Sequence, residues 1–209
     1  MTAKRTAGLQ LRGFAGMLRG RVCWPAAPVP GPGRLLVFLT VTEDGARCQE
    51  LSACAGLVVL SVACGPSRPG DLDDAVAVAR WAGENSARLG ADQGQVLVGG
   101  AGPGGTLALR ARADGWPAIT RQVLVCAGPV EPAPPSLAGV APATAVTVEH
   151  DPGGDEGRYA TQLSRAGVAV HELRYFAPDP ATAVRIRNGR QLLADLGAAL
   201  STHLGECPS

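Results

Sequence analysis

One glycine-dense turn, one aspartate and a scatter of thiols hold the residues that could do chemistry. VLVGGAGPGGTLAL runs from an apolar strand through Gly99–Gly105 and straight into a helical stretch. Such turns serve two chemistries. Backbone N–H groups at a helix N-terminus can hold a pyrophosphate, and Gly100, Gly102 and Gly105 formally satisfy GxGxxG. A ribose-binding carboxylate should then end the next strand, but that strand ends in Cys126-Ala127-Gly128. A strained strand-to-helix turn can also present a nucleophile between small residues. Asp151 follows a strand and His150 adjoins it. Cys64 and Cys126 should end their strands, on the edge where open α/β sheets bind ligands. A thiol with a nearby histidine is a conceivable nucleophile pair, and a small buried hydrophobe is the blander reading.

No metal or cofactor site is expected. The cysteines make no CxxC pair, and His150, His171 and His203 lack HExxH-type spacing. Asp71, Asp73 and Asp74 are the acidic first turn that a helix dipole favours. Trp81 and Trp116 read as packing residues.

The chain has 209 residues with 46% hydrophobic and 18% charged, enough to bury a core. Its net charge is +1 with scattered Lys and Arg, so no basic stripe argues for nucleic acid or an anionic membrane surface. No apolar run reaches the roughly 20 residues of a membrane span. Reduced cysteines imply a cytoplasmic location.

Short β-branched runs alternate with Ala/Leu-rich stretches, which predicts an α/β fold: a mostly parallel sheet with helices on both faces. Residues 1–20 read as an amphipathic or frayed arm, possible flexibility included, and 21–205 as one domain. Strands are expected at 35–39, 56–62, 95–98, 121–126, 145–149 and 168–175. Helices are expected at 46–55, 71–89, 106–113, 155–166 and, closing the chain, 182–203.

ARWAGENSARLGADQGQVLVGGAGPGGTLAL resembles the stretch leading into the GDSAGG elbow of hormone-sensitive-lipase-like carboxylesterases, α/β-hydrolase-fold proteins. Trp81, Leu89-Gly90-Ala91-Asp92, Gly99-Gly100 and Gly104-Gly105 match in order. TVEHDPGGDEGRYATQLSRAGVAVHELRY is similar to the family's segment around its catalytic aspartate. The resemblance covers roughly residues 20–205. It puts the family's aspartate on Asp151, its serine on Gly102 and its histidine near Pro180. The backbone donor after the nucleophile falls on Pro103, which has no N–H. The HGGG oxyanion motif falls on Thr40, Val41, Thr42 and Glu43. The lid between 128 and 143 is largely deleted, and the N-terminal cap is shortened.

The resemblance therefore implies a degenerate member, a non-hydrolytic pseudoenzyme acting by binding or assembly. Asp151 would be a relic that caps the next helix or holds loop amides, or a lone base in other chemistry. The alternatives are an isomerase, lyase or cyclase reusing the crevice, or an esterase with a relocated site. The partners implied are a second copy, an active hydrolase relative or a small apolar ligand.

Overall fold

The computed structural model describes residues 5–14, 16–26, 33–41, 45–64, 71–102, 119–127, 137, 140–150 and 157–203. The expected helix at 106–113 lies outside them, as do Thr42, Glu43, Pro103, Trp116 and Asp151.

Among the described residues eight strands form one sheet. They are β1 (Arg5–Arg12), β2 (Met17–Trp24), β3 (Leu35–Thr40), β4 (Val58–Ala63), β5 (Val96–Ala101), β6 (Ile119–Val125), β7 (Ala143–Glu149) and β8 (Val170–Phe176). Their order across the sheet is β1-β2-β4-β3-β5-β6-β7-β8. The pairs β1–β2 and β2–β4 are antiparallel, and β4–β3, β3–β5, β5–β6, β6–β7 and β7–β8 are parallel.

Side chains alternate between the two faces of a strand. In β3, Leu35, Val37 and Leu39 join the core under α2 (Asp71–Glu84), with Val78, Ala79 and Ala82. Leu36 and Phe38 point the other way, to α1 (Gly45–Ala55) and α5 (Arg190–His203), meeting Leu51, Leu192 and Leu196. Covering both faces explains why LLVFL has no polar phase. A third cluster joins α3 (Arg158–Arg165) to β6 and β7 through Leu124, Ala145, Tyr159 and Leu163.

The structure corrects three expectations. Residues 5–24 are not an arm but a hairpin in the sheet, with Leu11↔Leu18 and Ala7↔Val22 opposed. The arginines that interrupt the apolar sequence do not interrupt a period of two: Leu9, Leu11, Leu18 and Val22 face α2 while Arg12, Arg19 and Arg21 alternate to the opposite face, Arg21 beside Gly45 of α1. The hairpin is pinned at its tip, where buried Asp74 of α2 accepts from the Phe14 N–H.

The closing helix is two. α4 (Pro180–Arg187) ends at Asn188-Gly189, and α5 restarts at Arg190. Arg47 of α1 occupies the break, donating to the Arg187 carbonyl and, at 3.1 Å, to Asn188 Oδ1. Finally, the helix expected from Asp155 begins at Arg158 behind Gly157, whose φ of 84° and missing side chain leave no side-chain cap. The N-cap position is Gly157 itself, and Asp151 lies outside the described residues.

Candidate functional site at the carboxyl edge of the sheet

Parallel strands β3 to β8 all end on the same side. Register aligns those ends: Thr40 with Ala63, Ala101 with Val125, Glu149 with Phe176. The first residue beyond a strand bonds to the neighbouring strand, one after another. The Cys64 N–H donates to Thr40 O at 2.8 Å, Gly102 N–H to Val125 O at 2.9 Å, Cys126 N–H to Val146 O at 2.8 Å and Ala177 N–H to Glu149 O at 2.8 Å. The edge is thus a rigid terrace, and residues on it are held by backbone bonds on either side.

Gly102 opens the turn after β5 at φ 52°. A Cβ placed there would meet nothing within 4 Å, so the position has room for a side chain but a backbone that L-residues resist. Three residues earlier the reverse holds. A Cβ on Gly99 would stand 2.1 Å from the Val123 carbonyl oxygen of β6. Glycine at 99 permits close strand packing, whereas glycine at 102 suits the turn.

Thr40 ends β3 and is buried, next to β5 in the sheet; Val41 after it is 46% exposed. Pro180 is the first residue of α4, past β8. β8 stands three places from β5, about 14 Å at the usual spacing. The sheet therefore brings Thr40 and Gly102 to neighbouring strand ends and leaves Pro180 at the far side. Pro180 sits where proline suits a helix, and Asp179 before it is the N-cap, accepting from Thr182 N–H at 2.9 Å and Thr182 Oγ1 at 2.7 Å. Those bonds hold the Asp179 carboxyl below its usual range, the backbone N–H of Thr182 being the larger cause.

The two thiols diverge. Cys64 is 1% exposed and packs in the core with Leu39 and Val62, the bland reading. Cys126 is half-buried on the terrace beside Gly102, and its φ of 48° is the positive value among described non-glycine residues. No local signal in Cys126-Ala127-Gly128 announces that conformation. It follows from the strand ends that Cys126 must join. His150 lies exposed past β7. Among the described residues no group of three or more His, Cys, Asp or Glu could hold a metal ion. Of the expected lid deletion between 128 and 143, only Leu137 and 140–143 are described.

A sheet of this order, helices on both faces and a glycine turn after the fifth strand define the class: the chain has the α/β-hydrolase fold. The sequence model of the family described as alpha/beta hydrolase fold matches residues 36–134, which include Gly102. Carboxylesterase NlhH of Mycobacterium tuberculosis is 28% identical over 211 aligned positions, covering 72% of this chain. The chain spans 66% of that relative's length, just under two thirds.

Solved esterases share the fold. An esterase of Pyrobaculum calidifontis superposes with a TM-score of 0.79 at 23% identity, covering 97% of this chain and 87% of that one. An ester hydrolase from the Lake Arreo metagenome, in complex with a bipyridine phosphonate derivative, gives 0.84 at 19% identity, covering 99% and 85%. No helix of the described residues is long and apolar enough to cross a membrane.

Proposed function

We propose that this chain is a carboxylesterase-like protein that does not hydrolyse esters and acts instead by binding a small apolar ligand or a protein partner, a second copy or an active hydrolase relative, at the carboxyl edge. The observation that carries the reading is Gly102. It occupies the left-handed turn after β5, and glycine has no atom with which to attack a carbonyl. Pro103 after it has no N–H to offer an oxyanion. Pro180, where the resemblance looks for the base, starts a capped helix and titrates nothing. Asp151 would then have no partner to orient. Removal of one oxyanion donor alone costs about 3–4 kcal/mol in a transition state, so loss of nucleophile, base and donor together leaves the mechanism without its parts.

The test is turnover of p-nitrophenyl acetate and butyrate, with labelling by a serine-reactive phosphonate alongside. Background hydrolysis and no label are expected. Sustained turnover that persists through repurification would sink the reading.

Cys126 favours one second reading, a non-hydrolytic or relocated chemistry in the same crevice. A non-glycine residue at φ 48° costs of order 1–3 kcal/mol, and such strain gathers at functional sites. Fast, ligand-protected alkylation of Cys126 would support it; reaction no faster than that of a free thiol would remove it.

A further inference from the structure

In the linear sequence the arginines of the N-terminus look scattered. The hairpin gathers them. Opposed residues of an antiparallel pair share a face. One face of β1–β2 therefore carries Thr6, Gly8, Gln10 and Arg12 beside Met17, Arg19, Arg21 and Cys23. Cys23 belongs to the core on the α1 side, which fixes where this face looks. The opposite face packs on α2, whose buried Asp74 reaches the tip only from beneath, its carboxylate taken up by the Phe14 N–H.

Gly8 opposes Arg21, and with no side chain there a groove of about 450 Å³ opens, lined by Gln10, Arg19 and Arg21. The ion pairs Arg174–Glu172 and Arg190–Glu50 use neither Arg12, Arg19 nor Arg21, and no described carboxylate pairs with these three.

The tip next to these arginines is apolar. Phe14 is 77% exposed and Met17 60% exposed. β2 pairs with β4 only from Gly20 onward, so residues 17–19 overhang the carboxyl end of the sheet. An apolar point with guanidinium groups set behind it has the layout of a surface that enters lipid. Aromatic and thioether side chains reach the acyl boundary while the cations stay at phosphate depth.

We propose that the β1–β2 hairpin docks the chain on anionic phospholipid bilayers, with Phe14 and Met17 entering the interface and Arg12, Arg19 and the groove beside Arg21 taking lipid phosphates. Charge complementarity selects the anionic leaflet. Nucleic acid fits less well, because it would leave Phe14 and Met17 without an apolar partner and offers three cations too short a track. The hairpin overhangs the same end of the sheet as the glycine turn, so docking brings the crevice toward the lipid. The inference stands whether or not that crevice hydrolyses anything.

The test is flotation of the full chain with vesicles of phosphatidylcholine alone, and with roughly 30% phosphatidylserine added. Flotation is expected with the anionic vesicles and not with the neutral ones, and it should weaken as salt rises. Each basic residue near such a surface is worth roughly fivefold in partitioning. Arg12→Ser with Arg19→Ser should thus lower binding by roughly 25-fold, and Phe14→Ser with Met17→Ser should abolish flotation, both variants melting as the parent does. Phe14→Trp gives a readout of gain: its emission should shift blue on anionic vesicles. Absence of flotation, equal flotation on neutral vesicles, full binding by either double variant, or an unshifted tryptophan would each overturn the proposal.

Discussion

Two glycines of one strand make opposite demands. At Gly102 the space is open and only the backbone objects. Gly102→Ser should fold, lose about 1–2 kcal/mol because an L-residue is held at left-handed φ, and stay at background in ester hydrolysis, since a serine without base or donors acts alone. Thermal melting and the p-nitrophenyl assay check both halves. An active single variant would show that the base lies elsewhere. At Gly99 the objection is the Val123 carbonyl, part of the β6 backbone, which no rotamer change can move. Gly99→Ala should cost more than about 3 kcal/mol or yield no folded protein, read by denaturant titration. The sequence marks both residues as members of one glycine run. It does not mark which is needed for a turn and which for strand packing, because that depends on where β6 runs.

At the scale of elements, periodicity located the central strands to within three residues at either end, and the glycine run marked the turn that opens at Gly102. What stayed hidden depends on tertiary partners. The hairpin is disguised by arginines that only pairing sorts to one face, and the break at Asn188-Gly189 makes sense only with Arg47 across from it. Asp151 and Pro103, named from the resemblance, fall outside the described residues.

The capped start of α4 carries a pH signature. Asp179 is held below its usual value, so its ionised form is the one the fold favours. Its contribution is present above the ordinary carboxylate range, about 3.9, and is lost as pH falls through the lower folded value. Asp179→Ala should therefore melt below the parent at pH 6, with the gap closing as pH falls below the ordinary carboxylate range. On β8, the Tyr175 hydroxyl donates to Asp195 of α5 at 2.5 Å, and Gln191 donates to the other oxygen at 2.7 Å. Burial, then that bond, pushes the phenol well up from its usual value. Tyr175→Phe should cost about 1–2 kcal/mol, measured by urea titration at neutral pH.

Over the whole molecule, β1 and β8 are the edge strands of the sheet among the described residues. An unpaired edge invites a second sheet. Phe176 is 71% exposed at the end of β8, and Val184 of the following helix is 51% exposed. Leu173, earlier in the strand, packs against the α1–α5 core, and a charge there would report unfolding instead. If two copies join along β8, sedimentation at several concentrations should show a dimer that Phe176→Lys dissolves without lowering the melting temperature. A monomer at high micromolar concentration would remove the self-association arm of the proposed function.

The hairpin also sets a timetable. Its own strands are complete once Trp24 has been made, yet its neighbour in the sheet is β4, which ends at Ala63, and its cover is α2, which ends at Glu84. Because β4 lies between β2 and β3, the next strand synthesised cannot take the hairpin in. At about 5–20 residues per second, a growing chain must hold β1–β2 without a sheet for several seconds, with Leu9, Leu11, Leu18 and Val22 uncovered. An isolated two-stranded hairpin is marginal in water. During synthesis this segment is therefore the natural client for a ribosome-associated chaperone, and stalled chains from which residue 63 has not emerged should be cut there by protease while those from which residue 84 has emerged resist.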